Sequence, residues 1–260
     1  MSSYTALSKS GHASFRFLPR DGWRFAAGVQ HVPVLQAELP RLLPHYALAF
    51  VPADEQGVSY QLVALTSLTT NNLYVTPDGQ WLGDYVPAAL RGYPFRLLRH
   101  NDQQVLCIAE DNLLQQAEPG QGHPLFGADG ELSGPVARTF EFLQQCEVDR
   151  QRTTASVAIL ADAGLIEPWP LELPRGDDEP LVINGLYRIN EQRLHSLESE
   201  ELHALRGSPL AIAYAQLFAS HQIREMLRRA EYLVKINPGP SDAFDLETFF
   251  GGEDDELSFG

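Results

Sequence analysis

The triplet His100-Asn101-Asp102 sets an imidazole and a carboxylate two positions apart. On a strand such residues share a face, the arrangement by which non-haem iron oxygenases offer a histidine and an acid to the metal. His123, His195, His203 and His221 are the available third ligands. Iron would be the cofactor of that reading, and the activity a metal-dependent modification of a peptide or small molecule. The plainer reading makes Asn101-Asp102 a hairpin turn with His100 exposed beside it. Triplets of this kind arise often by chance, so the plainer reading is preferred and no cofactor is predicted. His195 and His203 lie two helical turns apart, too far for a close ligand pair.

Other chemistry lacks its signature. There is no G-x-S-x-G elbow to activate a serine. No glycine-rich phosphate loop follows a strand, and Gly120-x-Gly122 lacks a helix start. Cys107 sits in an apolar run and Cys146 in a helical one, so both read as buried, unpaired thiols. The richest cluster is Trp81, Asp84, Tyr85, Arg91, Tyr93 and Phe95. Aromatics bury area at low entropic cost and arginine stacks on them, so these residues are candidates for a recognition surface. The competing reading has Trp81 and Phe95 packing a sheet while Arg91 pairs with Asp84 or Asp78.

These residues sit among short strands. Residues 32–43 suggest a short helix or turn broken at Pro40. Residues 46–51 (YALAFV) and 60–65 (YQLVAL) read as buried strands. Leu73 to Thr76 runs into Pro77-Asp78-Gly79, a turn signal that returns a hairpin through Trp81. Phe95 to Leu98 and Val105 to Ala109 are two more strands.

The second half changes period. Val136, Phe140, Leu143, Val148, Val157 and Leu160 recur at helical intervals between Leu132 and Ala163. Ser133 is the candidate cap, Pro135 lies in the first turn and Gly164 is the stop. Residues 167–173 read as an extended connection, and Leu181 to Ile183 as a strand before the Asn184-Gly185 turn. A helical run from Glu191 to Lys235 is interrupted at Gly207-Ser208-Pro209. From Leu210, Ala213, Tyr214, Leu217, Phe218, Ile223, Leu227 and Leu233 form a broad apolar face. Strands first and helices later predict an α+β fold: a strand-rich N-terminal half with hairpins, a helical C-terminal half packed on it, and an acidic C-terminal tail. A single domain over 1–237 and a tail over 238–260 is the expected organisation.

The 260 residues carry 34 acids against 19 bases, a net charge of −15. Such a surface repels phosphate backbones and anionic membranes, so nucleic acid is not an expected partner. No apolar run approaches the roughly 20 residues that span a bilayer. The polar Ser8 to His12 falls where a secretory signal would be apolar, which predicts a cytoplasmic protein. Residues 241–260 hold seven acids and no Lys or Arg. Phe244, Phe249, Phe250 and Phe259 punctuate this tail, and such segments dock into basic or apolar grooves. The alternatives are a solvated solubility tail or one folded back on its own domain.

Five segments together resemble the SapC family, named for a protein of bacterial surface-layer gene clusters. They are Asn71 to Val75 with Asp78 to Trp81; Asp84 to Ala88 with Arg91 and Tyr93 to Phe95; Leu125 to Gly130; Asn184 to Asn190 with Leu194 and Leu197; and Leu210 to Leu217. They span roughly residues 30 to 235. The family has a second basic position before Tyr-Pro-Phe, and here it is Gly92. The resemblance implies a link to surface layers and an association with outer-membrane receptors and with halogenase-like or cupin-like proteins. It assigns no catalytic residue. The leading expectation is therefore an accessory protein that binds a protein or peptide partner, such as a halogenase-like or cupin-like enzyme encoded nearby. The iron enzyme at His100 and Asp102 is one alternative. An exported surface-layer component is the other, resting on the acidic end followed by Leu257-Ser258-Phe259-Gly260.

Overall fold

The computed structural model describes residues 3–236 apart from Glu55, Asp102, Ala117, Pro119, Gly176 and Asp177. The predicted acidic tail and Asp102 therefore lie outside the described residues. The strands in chain order are β1 Tyr4–Ala6, β2 Arg16–Phe17, β3 His31–Pro33, β4 Leu48–Pro52, β5 Tyr60–Leu65, β6 Phe95–His100, β7 Gln103–Ala109, β8 Leu113–Leu114, β9 His123–Pro124, β10 Ile166–Pro168, β11 Leu171–Arg175, β12 Asp178–Ile183 and β13 Tyr187–Ile189. The α-helices are α1 Lys9–His12, α2 Leu39–Leu42, α3 Ala88–Arg91, α4 Gly134–Asp162, α5 Glu191–His195, α6 Ser199–Ala204, α7 Ser208–Ala219 and α8 Gln222–Ile236.

A five-stranded antiparallel sheet in the order β10-β13-β4-β5-β3 organises the core. Its central strands are apolar on both faces because both faces are covered. Leu48, Phe50, Leu62 and Ala64 point to one side and meet Val157 and Leu160 of α4 and Ile212 of α7. Ala49, Val51, Val63 and Leu65 point to the other and meet Ile223, Met226 and Leu227 of α8. Each fully buried aliphatic side chain contributes about 1.5–3 kcal/mol, so this alternation dominates the register. Buried Gln216 of α7 links two sheet strands, accepting from Ile189 N at 2.9 Å and donating to Leu48 O at 3.2 Å.

A second sheet, β1-β7-β6, packs Phe95, Leu106 and Ile108 against Val136 at the start of α4. The 29 residues of α4 thus connect two cores, its first half on the second sheet and its last half on the five-stranded one.

The division into strands and then helices holds in outline, and the fold is mixed α/β. It is not a clean division, because β10 and β13 come from the second half and complete the sheet begun at β3. Residues 167–173, read as a connection, contribute to β10 and β11. Pro40 stands in the first turn of α2, where its missing N–H costs nothing, and does not break the segment. Ser133 is the residue before α4, yet its hydroxyl donates to Pro124 O at 2.6 Å instead of capping the helix. Ser208 is the first residue of α7 and Gly207 takes the cap position. Val148, Tyr214 and Phe218, placed on buried faces by period alone, are 50%, 38% and 64% exposed. Among the described residues, no helix is long and apolar enough to cross a membrane.

Candidate functional site

The segment 71–81 makes one bridge, Val75 to Trp81, in place of the expected strand pair. Asn72 explains this. Its side chain is buried and works locally, with Nδ2 donating to Ala26 O at 3.0 Å and Oδ1 accepting from Tyr74 N at 2.9 Å. Gly79 takes the left-handed turn conformation at φ +89°. Its carbonyl accepts from Trp23 N at 2.8 Å, tying the turn to the N-terminal segment.

Trp23 then meets Trp81 edge to face, with ring centroids 5.5 Å apart. Trp81 Nε1 points to Tyr46 Oη at 3.2 Å and Tyr85 O at 3.3 Å. The Tyr46 hydroxyl donates to that same Tyr85 carbonyl. Arg91, the last residue of α3, donates from Nη2 to Tyr85 Oη at 3.2 Å. Arg20 Nη1 donates to Arg91 O at 3.0 Å, and its guanidinium lies 4.1 Å from the Trp23 ring centroid. Arg20, Trp23, Trp81, Tyr85 and Arg91 therefore form a closed circuit of contacts. Phe25 and Tyr93 extend it, stacked with centroids 3.9 Å apart, and Tyr93 Oη donates to Asn112 Oδ1 at 2.6 Å.

The circuit rests on a buried acid. Glu38 is 4% exposed and accepts from Leu35 N at 3.0 Å, from Ala88 N at 2.8 Å and from Tyr85 Oη at 2.9 Å. A carboxylate taken out of water needs such donors. Arg41 is exposed and lies 5.8 Å from the Tyr85 ring centroid. Arg91 lies 5.4 Å from that ring and 5.0 Å from Phe142 of α4. Among the described residues, Arg20, Arg41 and Arg91 make no ion pair with a carboxylate. Partial burial, and then the like charge of Arg91, lowers the Arg20 pKa. Burial raises the neighbouring Cys146 thiol to about 11, so it stays protonated at neutral pH. The arrangement presents guanidinium groups and aromatic rings side by side.

The predicted residues divide. Trp81, Tyr85, Arg91 and Tyr93 converge on this face, all half-buried. Asp84 is exposed on the same segment. Phe95 lies apart, its ring buried against Phe17 at 4.9 Å in the second core. Arg91 pairs with neither Asp84 nor Asp78, and Asp78 is held by Thr76 and Gln80. His100 is exposed at the end of the β6-β7 hairpin, registered opposite Gln103, with Asn101 in the turn at φ 47°. Among the described residues, no group of three His, Cys, Asp or Glu is arranged to hold a metal ion.

A family model described as SapC matches residues 7–226. The chain belongs to the SapC family. The SapC match includes every residue of the circuit, the whole of α4 and α7, and the first turn of α8. No curated protein and no solved structure matches the chain. Gly92 lies in the matched range, buried against α4. A Cβ there would lie 2.6 Å from Leu143 Cδ2, the movable end of an α4 side chain, and 3.2 Å from the backbone oxygen of Phe95, so a side chain fits only if both give way slightly.

Sequence reasoning missed Arg20, Trp23, Phe25, Glu38 and Arg41. The string Arg20-Asp21-Gly22-Trp23-Arg24-Phe25 alternates aromatic and basic residues much as 81–95 does, and that signal was available. Glu38 gave none, since its burial depends on Tyr85 and Ala88 some fifty positions away.

Proposed function

We propose that this SapC-family chain is a non-catalytic accessory protein that binds a protein or peptide partner through the arginine-aromatic face. The system it serves would be a bacterial surface-layer, outer-membrane uptake or peptide and small-molecule modification pathway. The observation that carries the reading is the closed circuit from Arg20 to Arg91. Its aromatics are half-buried and fixed in orientation, so little side-chain entropy is lost when a ligand covers them. Its arginines have no carboxylate partner among the described residues, in a chain with an excess of acids. Fixed aromatics beside arginine are the residue types that dominate binding energy at protein interfaces.

The test uses full-length protein and Arg41→Glu as paired baits in native-host lysate. Arg41 is exposed and its guanidinium donates no hydrogen bond among the described residues, so reversing its charge is expected to leave the fold intact. A stoichiometric protein recovered by the first bait and lost by the second is the expected result. Equal recovery by both baits would overturn the assignment of this face.

A further inference from the structure

We infer that the arginine-aromatic face is a docking surface for this chain's own acidic, phenylalanine-bearing segment, residues 241–260. The inference rests on the reading that the face binds peptides, and it names an occupant for it.

The first support is the course of α8. Arg229 of α8 donates to Leu82 O at 3.0 Å and lies 4.6 Å from the Tyr74 ring centroid. Tyr74 in turn stacks on Trp81 with centroids 5.7 Å apart. The last helical residue, Ile236, is seven positions beyond Arg229, a rise of about 10 Å. The end of the last helix therefore lies within about 10 Å, measured along the helix, of a residue that touches the Trp81 side of the circuit. Four residues, Asn237 to Pro240, reach roughly 13 Å when extended, and the following twenty reach far past Arg41.

The second support is charge. The segment carries seven acids and no Lys or Arg. Arg20, Arg41 and Arg91 make no ion pair among the described residues. Two acids beside the face are engaged already: Glu38 by two backbone N–H groups and Tyr85, Asp149 by Ala37 N at 3.1 Å. Asp21 and Asp84 are exposed on the flanking segments and oppose this attraction in part.

The third is shape and chemistry. Phe244, Phe249, Phe250 and Phe259 supply aromatic rings to a surface of half-buried Trp, Phe and Tyr, where edge-to-face contacts are favourable. A tethered segment competes at an effective concentration on the order of millimolar, so an external partner must displace it.

The test keeps the full chain. Phe250 is replaced by the photo-crosslinking analogue p-benzoyl-phenylalanine, and the protein is irradiated as a mixture of isotopically light and heavy copies. Peptide mapping is expected to find crosslinks within one copy, to the segments 20–25 or 81–93. Those crosslinks are expected to be lost in Arg41→Glu and at 1 M salt, where charges are screened within about 3 Å. Crosslinks to the same segments between light and heavy copies would overturn the proposal in favour of a second copy as occupant. Crosslinks confined to other regions, or none, would also overturn it. Neither failure bears on partner capture by the paired baits, so the two readings fail separately.

Discussion

The hydroxyl of Tyr85 donates to the carboxylate of Glu38 at 2.9 Å, joining residues 47 positions apart. Glu38 carries no charge partner in that contact; it collects one phenol and two backbone donors. This gathers the turn before α2, the start of α3 and the aromatic circuit at a single buried point.

Removing the acceptor should therefore cost more than removing one donor. Glu38→Ala is expected to lose on the order of 2–4 kcal/mol, because one buried and two half-buried donors are left without a partner. Tyr85→Phe removes two hydrogen bonds, the one given to Glu38 and the longer one taken from Arg91, and is expected to lose about 1.5 kcal/mol. Urea titrations monitored by tryptophan fluorescence measure both. Equal losses in the two variants would show that Glu38 does not organise the site.

The alkaline limb follows from the tyrosines. Burial first, then the negative charge of Glu38, pushes the Tyr85 phenol up to about 12. Burial likewise raises Tyr46 and Tyr74 well beyond the ordinary range. A folded pKa above the unfolded value, about 10, favours the protonated native state. That stability is fully present below pH about 10 and is lost as pH rises through the folded values. The urea midpoint should fall on going from pH 9 to pH 12. Of the nine tyrosines, these three should ionise last in absorbance titration of the native protein. Ionisation of all nine together at the ordinary value would contradict the packing described.

Placing an arginine at Gly92 should harm this chain modestly. Gly92→Arg brings a Cβ to 2.6 Å from Leu143 Cδ2, which can turn aside, and to 3.2 Å from Phe95 O, which is backbone, so the loss is expected at the low end of overpacking, about 1 kcal/mol. Adding Leu143→Ala should return part of that loss, because it removes the atoms in conflict. Differential scanning calorimetry of the single and double variants reads the coupling. A Gly92→Arg variant as stable as the parent would mean that α4 yields without cost.

Much of the fold was legible because it is written in local periods. The apolar runs of β4 and β5, the helical recurrence through α4 and the turn residues at Asn101 and Gly79 each follow from a few neighbouring residues. Local period could not say which way Tyr214 and Phe218 face, because α7 is apolar almost all round and only its neighbours choose the buried side. Nor could it enlist residues 166–168 and 187–189 in the first sheet, since strand pairing across more than a hundred positions leaves no mark on either strand.

The sequence by itself determined the acidic balance, the mixed architecture, the SapC resemblance and four of the residues on the candidate face: Trp81, Tyr85, Arg91 and Tyr93. Tertiary structure alone decided that Phe95 belongs to the second core, that Arg91 serves Tyr85 and not an aspartate, and that Arg20, Trp23 and Glu38 complete the site. The physical reason is the range of the forces involved. Composition and spacing report preferences of a residue and its neighbours, whereas burial and hydrogen-bond partners are properties of a place in the fold, shared by residues the chain brings together from 47 to 71 positions apart.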